Sequence, residues 1–519
     1  MRLDDDLKYF EEPEFREILA QYEAAREKGS SIYMDAVDLT DVAEYYSMVC
    51  HDEERAAEAI DLALQLHPDA VDPQVFKARK MMIEGSVETA QKMCDLIDDQ
   101  QNREVIFLRA ELMIRRGQKD EALQYLLAMA DEQEEDLDYF YYDSAYIFMD
   151  YDEFDIVLEL AQKLEKIAPS WFKFWELKAD ALLTKEKHAE ALPYIERMLD
   201  VDPFYVEAWN WSCEAYSSMA QYDKAIESAD YALAVEPQNE RALQLKAWAL
   251  LQQENYEAAH ALYLQLQRMS PQCEQHYYYD SFCLFDMADL PGALEKVKKA
   301  QEFYDGTSGD QQGILEHHAH ILSELHDVDG ALGLIDVAER MFAHHPENET
   351  DFDLLRARVY AENKRPLDAY YCLDAMLARP NVSLSWVYFN GGRIFLDEGY
   401  VEAALHLFSL FWRVNDDPAV KADVCACIAA CYYDLQQDLN ALAFLKEAIR
   451  LQASNLQEFF GQVLPEGTPA SEYYDYLFYQ VYQRWPDGTE KLPSVEDLID
   501  KACEVPTNEA STDEMELPF

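Results

Sequence analysis

The amino-acid sequence predicts an all-α protein, an α-solenoid in which about twelve helical hairpins stack between N- and C-terminal capping helices. Three observations carry this. Residues 138–307 divide without a gap into five segments of 34 residues, a period diagnostic of stacked repeats. Pro169, Pro203, Pro237 and Pro271 recur at that spacing, as do Ala191, Ala225, Ala259 and Ala293. Each segment also carries two stretches with apolar residues at i, i+3, i+4 and i+7, so each is a pair of amphipathic helices.

The segment 206–239 serves as the type unit. In its first helix Trp209, Ser212, Cys213 and Tyr216 share one face; in its second, Ala225, Ala229 and Ala232 do so. Position 8 is small in all five units (Ala145, Ala179, Cys213, Ala247, Ser281), and position 20 is alanine in all but the first, which has Val157. Small side chains at fixed positions mark where helix axes approach closely. Bulky residues at position 4 (Tyr141, Trp175, Trp209, Leu243, Tyr277) and position 11 (Phe148, Leu182, Tyr216, Leu250, Leu284) fill the remaining space. Proline at position 32 lacks a donor and biases the residue before it away from helical dihedrals, so the second helix stops there. Ser170 and Asn239 are placed to cap the next first helix. A single hairpin leaves half its apolar face in water, and stacking buries it, at roughly 1.5–3 kcal/mol per large side chain.

The other elements follow in this register. Residues 1–36 form a charged tail and a capping helix that starts at Pro13 and carries Phe15, Ile18, Leu19, Tyr22 and Ala25 on one face. Residues 37–304 hold about eight repeats, the first marked by Ala56, Ala63 and Pro68. The phase breaks at 305–311, a Gly-rich joint where bending and proteolysis are expected. About four further repeats occupy 312–455. In the C-terminal part, 456–503, a loop at 461–470 precedes an aromatic stretch expected to cap the array, and Ser494 with Asp497 form a capping box. Residues 504–519 are an acidic tail expected to be disordered.

The motif residues resemble those of the tetratricopeptide repeat: an aromatic at position 4, small residues at 8, 20 and 27, aromatics near 11, 17 and 24, and proline at 32, matched here by Trp175, Trp209, Tyr216, Tyr222, Ala225, Ala232 and Pro237. The resemblance implies a right-handed superhelix whose first helices line a concave face for peptides or protein surfaces, chiefly through positions 2, 5, 9, 12 and 13. Those positions are occupied by Tyr139, Tyr142, Tyr146, Glu176, Asp180, Glu207, Asn210, Glu214, Trp248, Tyr278, Phe282 and Phe285. Rings and carboxylates alternate with few bases, a surface suited to a basic segment of a partner. The Lys and Asn clamp with which one subclass of the family grips C-terminal carboxylates is absent, since Glu176, Asp180, Asn210, Glu214, Gln244 and Trp248 stand at its positions.

Composition narrows the partner. Of 519 residues, 102 are acidic and 43 basic, a net charge of −59. Nucleic acids and anionic lipid surfaces are repelled by such a surface. The ten cysteines sit mostly in helical patterns without a C-x-x-C pair, which points to reduced residues and the cytoplasm. The opening residues lack a signal-peptide pattern, and no apolar run reaches membrane-spanning length.

Signs of chemistry are few. The sequence lacks a Gly-rich phosphate loop, a G-x-S-x-G elbow and an H-E-x-x-H motif. His317, His318 and His320, with His326 beyond, project to different helix faces, so they read as helix histidines and not as a ligand set. Cys425, Cys427 and Cys431 read as small apolar packing groups, and the acidic run 131–138 as a solvated turn. The sequence thus predicts a non-enzymatic interaction protein without metal or cofactor. A scaffold that assembles through its ends or convex face is the alternative, and an enzyme with an unrecognised site a weaker one.

Overall fold

The computed structural model describes residues 9–28, 32–131, 136–304, 311–341, 346–380, 382–465 and 468–503, with the side chains of 346–351 and 419 excepted. The joint at 305–311, except Gln311, and the tail 504–519 lie outside these residues, as do residues 132–135 of the acidic run at 131–138. The described residues contain helices and no strands. After the helix Pro13–Lys28, twelve pairs follow in order, from Ala36–Met48 with Glu53–Leu66 to Pro418–Asp434 with Asp438–Leu451. The chain divides into two compact units, residues 1–249 and 250–519.

Small residues lie where the period places them. Ala145, Ala179, Cys213, Ala247 and Ser281 at position 8 are fully buried, as are Val157, Ala191, Ala225, Ala259 and Ala293 at position 20. Helices pack on their chain neighbours, for example Val206–Ser218 on Tyr222–Val235. In the second unit, Gly392 lets a helix approach closely, because an added Cβ would lie 2.6 Å from the Phe408 ring.

The turn inside each hairpin is left-handed. His51, Gly85, Gly117, Asp152, Glu186, Ala220, Glu254, Ala288, His326, Lys364, Gly399 and Gln436 all have positive φ, and nine of these are not glycine. The cause is the way the first helix ends: Gln221 N–H bonds to Tyr216 C=O at 2.8 Å and Ala220 N–H to Ser217 C=O at 2.9 Å, a pairing that requires one residue in this conformation.

Position 4 and position 32 are linked by hydrogen bonds. Trp175 Nε1 donates to the carbonyl of Pro169 at 2.9 Å, and Trp209 Nε1 to that of Pro203 at 2.9 Å. Tyr277 Oη donates to the carbonyl of Pro271 at 3.1 Å. The aromatic of one repeat thus satisfies the backbone where the preceding repeat ends.

Asn239 caps Glu240–Gln252, accepting the Ala242 N–H at 2.9 Å. Ser170 does not cap: the helix starts at Phe172, and Trp171 is its N-cap without a side-chain hydrogen bond. Phe15 and Tyr22 of the first helix share a core with Leu39, Val42 and Tyr46. At the other end Leu456, Phe460, Tyr473, Phe478 and Ile499 extend the core of the last hairpins. Coverage of the aromatic stretch there is incomplete, because Tyr479, Tyr482 and Trp485 remain exposed. Ser494 caps Val495–Ala502 through the Asp497 N–H.

Candidate functional site

In the first unit, carboxylates from successive first helices gather around Asp180. Its carboxyl is pushed up to about 6, first by burial and then by Glu176 and Glu207, with Glu214 adding to the effect and Arg241 opposing it. Arg241, from the next first helix, bridges Glu207 at 2.8 Å and Glu214 at 2.9 Å. All three side chains of that bridge are more than a third exposed, so the pairs contribute little, about 0–1 kcal/mol each. Glu176 accepts a hydrogen bond from Tyr205 Oη.

Rings of the same unit pack on one another. Trp171 lies edge-on to Tyr139 at 4.9 Å between centroids and tilted to Tyr142 at 5.2 Å. Tyr142 also meets Tyr146 at 4.8 Å and has the Lys173 ammonium 5.6 Å above its ring. Phe172 packs edge-on against Tyr205 at 5.4 Å. Trp248 lies edge-on to Tyr222 at 6.1 Å.

Burial corrects part of the expected groove. Tyr142 and Asn210 are 4% and 1% exposed and Tyr278 8%, so these three pack against their neighbours and offer no open face. Tyr139 is exposed, while Tyr146, Glu176, Asp180, Glu207, Glu214, Trp248, Phe282 and Phe285 are partly exposed. Asn210 Nδ2 reaches only weakly toward Glu207 Oε2 at 3.5 Å and Asn239 Oδ1 at 3.4 Å. Sequence reading missed Trp171, Tyr205 and Arg241. The first two close their repeats at position 34, outside the positions read for the concave face, and reading position 34 as well would have found them; Arg241 stands at position 2, inside that set, and is passed over there as a base among carboxylates.

The second unit is organised differently. Phe282 stacks on His317 at 3.7 Å, and Phe285 lies 4.9 Å from His320. Burial pushes His317 down to about 3, with His320 adding to the effect, and His318 down to about 4. The histidine run is not brought together as a ligand set: His318 Nδ1 meets Gln301 Oε1 at 3.1 Å, and His326 Nδ1 meets Asn363 Oδ1 at 3.1 Å. His320 turns instead toward Glu324 and Glu362. Cys425, Cys427 and Cys431 are buried and free; burial raises all three thiols.

No protein-family model matches the chain, and no curated protein matches it. Among solved structures it is similar to a tetratricopeptide repeat protein from Parabacteroides merdae, at 14% identity over 50% of this chain and 97% of that chain, with a TM-score of 0.40. It is also similar to MamA from Desulfovibrio magneticus, at 17% identity over 34% and 97% of the two chains, TM-score 0.32. A third is a thermophilic TPR protein in Thermus thermophilus, at 15% identity over 36% and 98%, TM-score 0.30. Among the described residues no helix is long and apolar enough to cross a membrane. From its 34-residue period, its motif residues and the packing of its hairpins, the chain is a solenoid of the tetratricopeptide type.

Proposed function

We propose that the chain is a non-catalytic binding protein of a reducing, cytoplasmic compartment, and that the first-helix surface of its first unit receives a basic segment of another protein. The observation that carries this is the crowding of Glu176, Glu207 and Glu214 around Asp180, opposed by Arg241, whose bridges to Glu207 and Glu214 are exposed and weak. Crowding adds to burial in raising Asp180, and an incoming Lys or Arg relieves it. The ring of Tyr205, bonded to Glu176, and those of Tyr139, Trp171 and Trp248 in the same unit suit the aliphatic stem and charged head of such a residue. The net charge of −59 steers a cationic partner toward the chain and turns away nucleic acid.

Full-length chain is used to capture partners beside a variant carrying Glu176→Lys, Asp180→Lys and Glu214→Lys. Partners lost from the variant should carry Lys- or Arg-rich segments, and their association should slow as salt rises, since exposed charges are screened over about 8–10 Å at physiological ionic strength. Arg241→Ala should tighten the same partners by freeing Glu207 and Glu214. A partner indifferent to salt and to the three reversals would leave the acidic patch a solvated surface and return the chain to a scaffold role.

A further inference from the structure

Apart from the acidic patch of the first unit, three donors of mixed type converge in the second. His320 Nε2 lies 3.3 Å from Glu362 Oε1 and 4.0 Å from Glu324 Oε1. Donor atoms of all three residues fall within 4.8 Å of one another. We propose that His320, Glu324 and Glu362 bind a divalent transition cation of the zinc class.

Geometry favours an ion of this kind. Tetrahedral coordination at about 2.0–2.1 Å places neighbouring donors about 3.3 Å apart, the separation between His320 and Glu362. The wider gap to Glu324 closes by a rotamer change, because that side chain is exposed and one turn from His320 on the same helix. An imidazole among the donors excludes magnesium and calcium, which take oxygen ligands, and suits zinc, nickel or cobalt.

The surroundings already hold the ligands. Glu362 is 7% exposed at its side chain, and among the described residues its only ion-pair partner is His320. Its other oxygen accepts from Ser323 Oγ, which accepts in turn from Asn363 Nδ2 at 2.9 Å. Asn363 is fixed by a further bond, donated to the Val359 carbonyl at 2.9 Å. A chain of hydrogen bonds that orients a carboxylate is what a metal ligand needs behind it. The ring of Phe285, 4.9 Å from His320, walls the imidazole. The ion would tie Gln311–Glu324 to Pro346–Glu362 and leave a fourth position for water or for a side chain of a bound protein.

The test is titration of Zn²⁺ into metal-stripped full-length protein against a chromophoric chelator. The expected result is one saturable site, weakened at least about tenfold by His320→Gln, Glu324→Gln or Glu362→Gln. Cys50→Ser, which removes an exposed thiol, should bind as the parent does. Co²⁺ in the site should give a visible absorption band without thiolate charge transfer. Glu324→Gln changes an exposed side chain, so it keeps the test valid should Glu362→Gln fail to fold. A parent without a saturable site, a site untouched by all three substitutions, or one lost with Cys50→Ser overturns the proposal.

Discussion

His260 Nδ1 lies 2.5 Å from a carboxylate oxygen of Asp280, a side chain with no solvent exposure. The other oxygen receives Lys296 Nζ and Gln267 Nε2, each at 2.8 Å, and Lys296 also donates to Gln267 Oε1 at 2.6 Å. An ion this deep persists only with every partner present. Asp280→Leu should therefore cost about 3–5 kcal/mol in urea unfolding, because Lys296 is left charged and nearly buried. Adding Lys296→Met should recover part of that loss. Additive losses in the double variant would show that the two groups do not depend on each other.

Asp180 should make the first unit pH-sensitive in the sense opposite to that of a salt-bridged carboxylate. Its folded value, about 6, lies above that of the unfolded chain, so the folded state holds the proton longer. Stability therefore falls as pH rises from about 4 through 6. Asp180→Asn should remove this slope and stabilise the protein at pH 7 by about 1–3 kcal/mol. Unfolding midpoints measured across that window check it. The same ionisation should strengthen capture of a basic partner as pH rises through 6.

His317 acts at the acid end. Its ring is buried against Phe282 and held down at about 3, whereas the unfolded chain protonates it near 6.5. Its contribution is complete above that value and is lost as pH falls toward 3. In the presence of a chelator, His317→Leu should shift acid unfolding to lower pH. An unmoved acid transition would count against it.

The left-handed turns predict stabilising substitutions. Ala220 and Ala288 hold φ of 55° and 60°, where a Cβ costs energy that glycine avoids. Ala220→Gly and Ala288→Gly should each raise stability by about 0.5–1 kcal/mol. Glu227→Gly, on an exposed turn of Tyr222–Val235, should lower it by a similar amount. Thermal melts of the three variants decide the matter.

Ala247, fully buried at position 8, should tolerate no added bulk. Ala247→Leu should cost about 1–3 kcal/mol. A melting temperature equal to the parent's would show that the position is not a close contact.

Much of the fold could be read from the period, because a repeat states the same packing rule many times. Alanine at positions 8 and 20 and proline at 32 say where helices touch and stop, and the structure places all of them accordingly. Site residues are harder, since a position tells which way a side chain leaves its helix and not what the next repeat lays over it. Tyr142 leaves toward the expected face and is covered by Trp171. Glu207 and Glu214 read as unpaired until Arg241 arrives from the next hairpin. His320 looked like one of several scattered histidines, because its carboxylate partner Glu362 stands one repeat further on. The left-handed turns were hidden for another reason: nine of the twelve lack the glycine that usually announces them.

The bond from a position-4 donor to the carbonyl of the proline before it gives the chain a rule for growth. Residues 206–239 begin with a donor, Trp209, for the repeat behind and end with an acceptor, Pro237, for the repeat ahead. Leu243, the next residue at position 4, has no donor to offer that acceptor. A tandem copy of 206–239 placed after Asn239 would supply one, so the junction created by duplication would be better bonded than the junction it interrupts. Unequal recombination at this point would lengthen the protein by whole repeats without exposing an unfinished end, which makes it a favourable place for such chains to have gained length and for an engineer to add more.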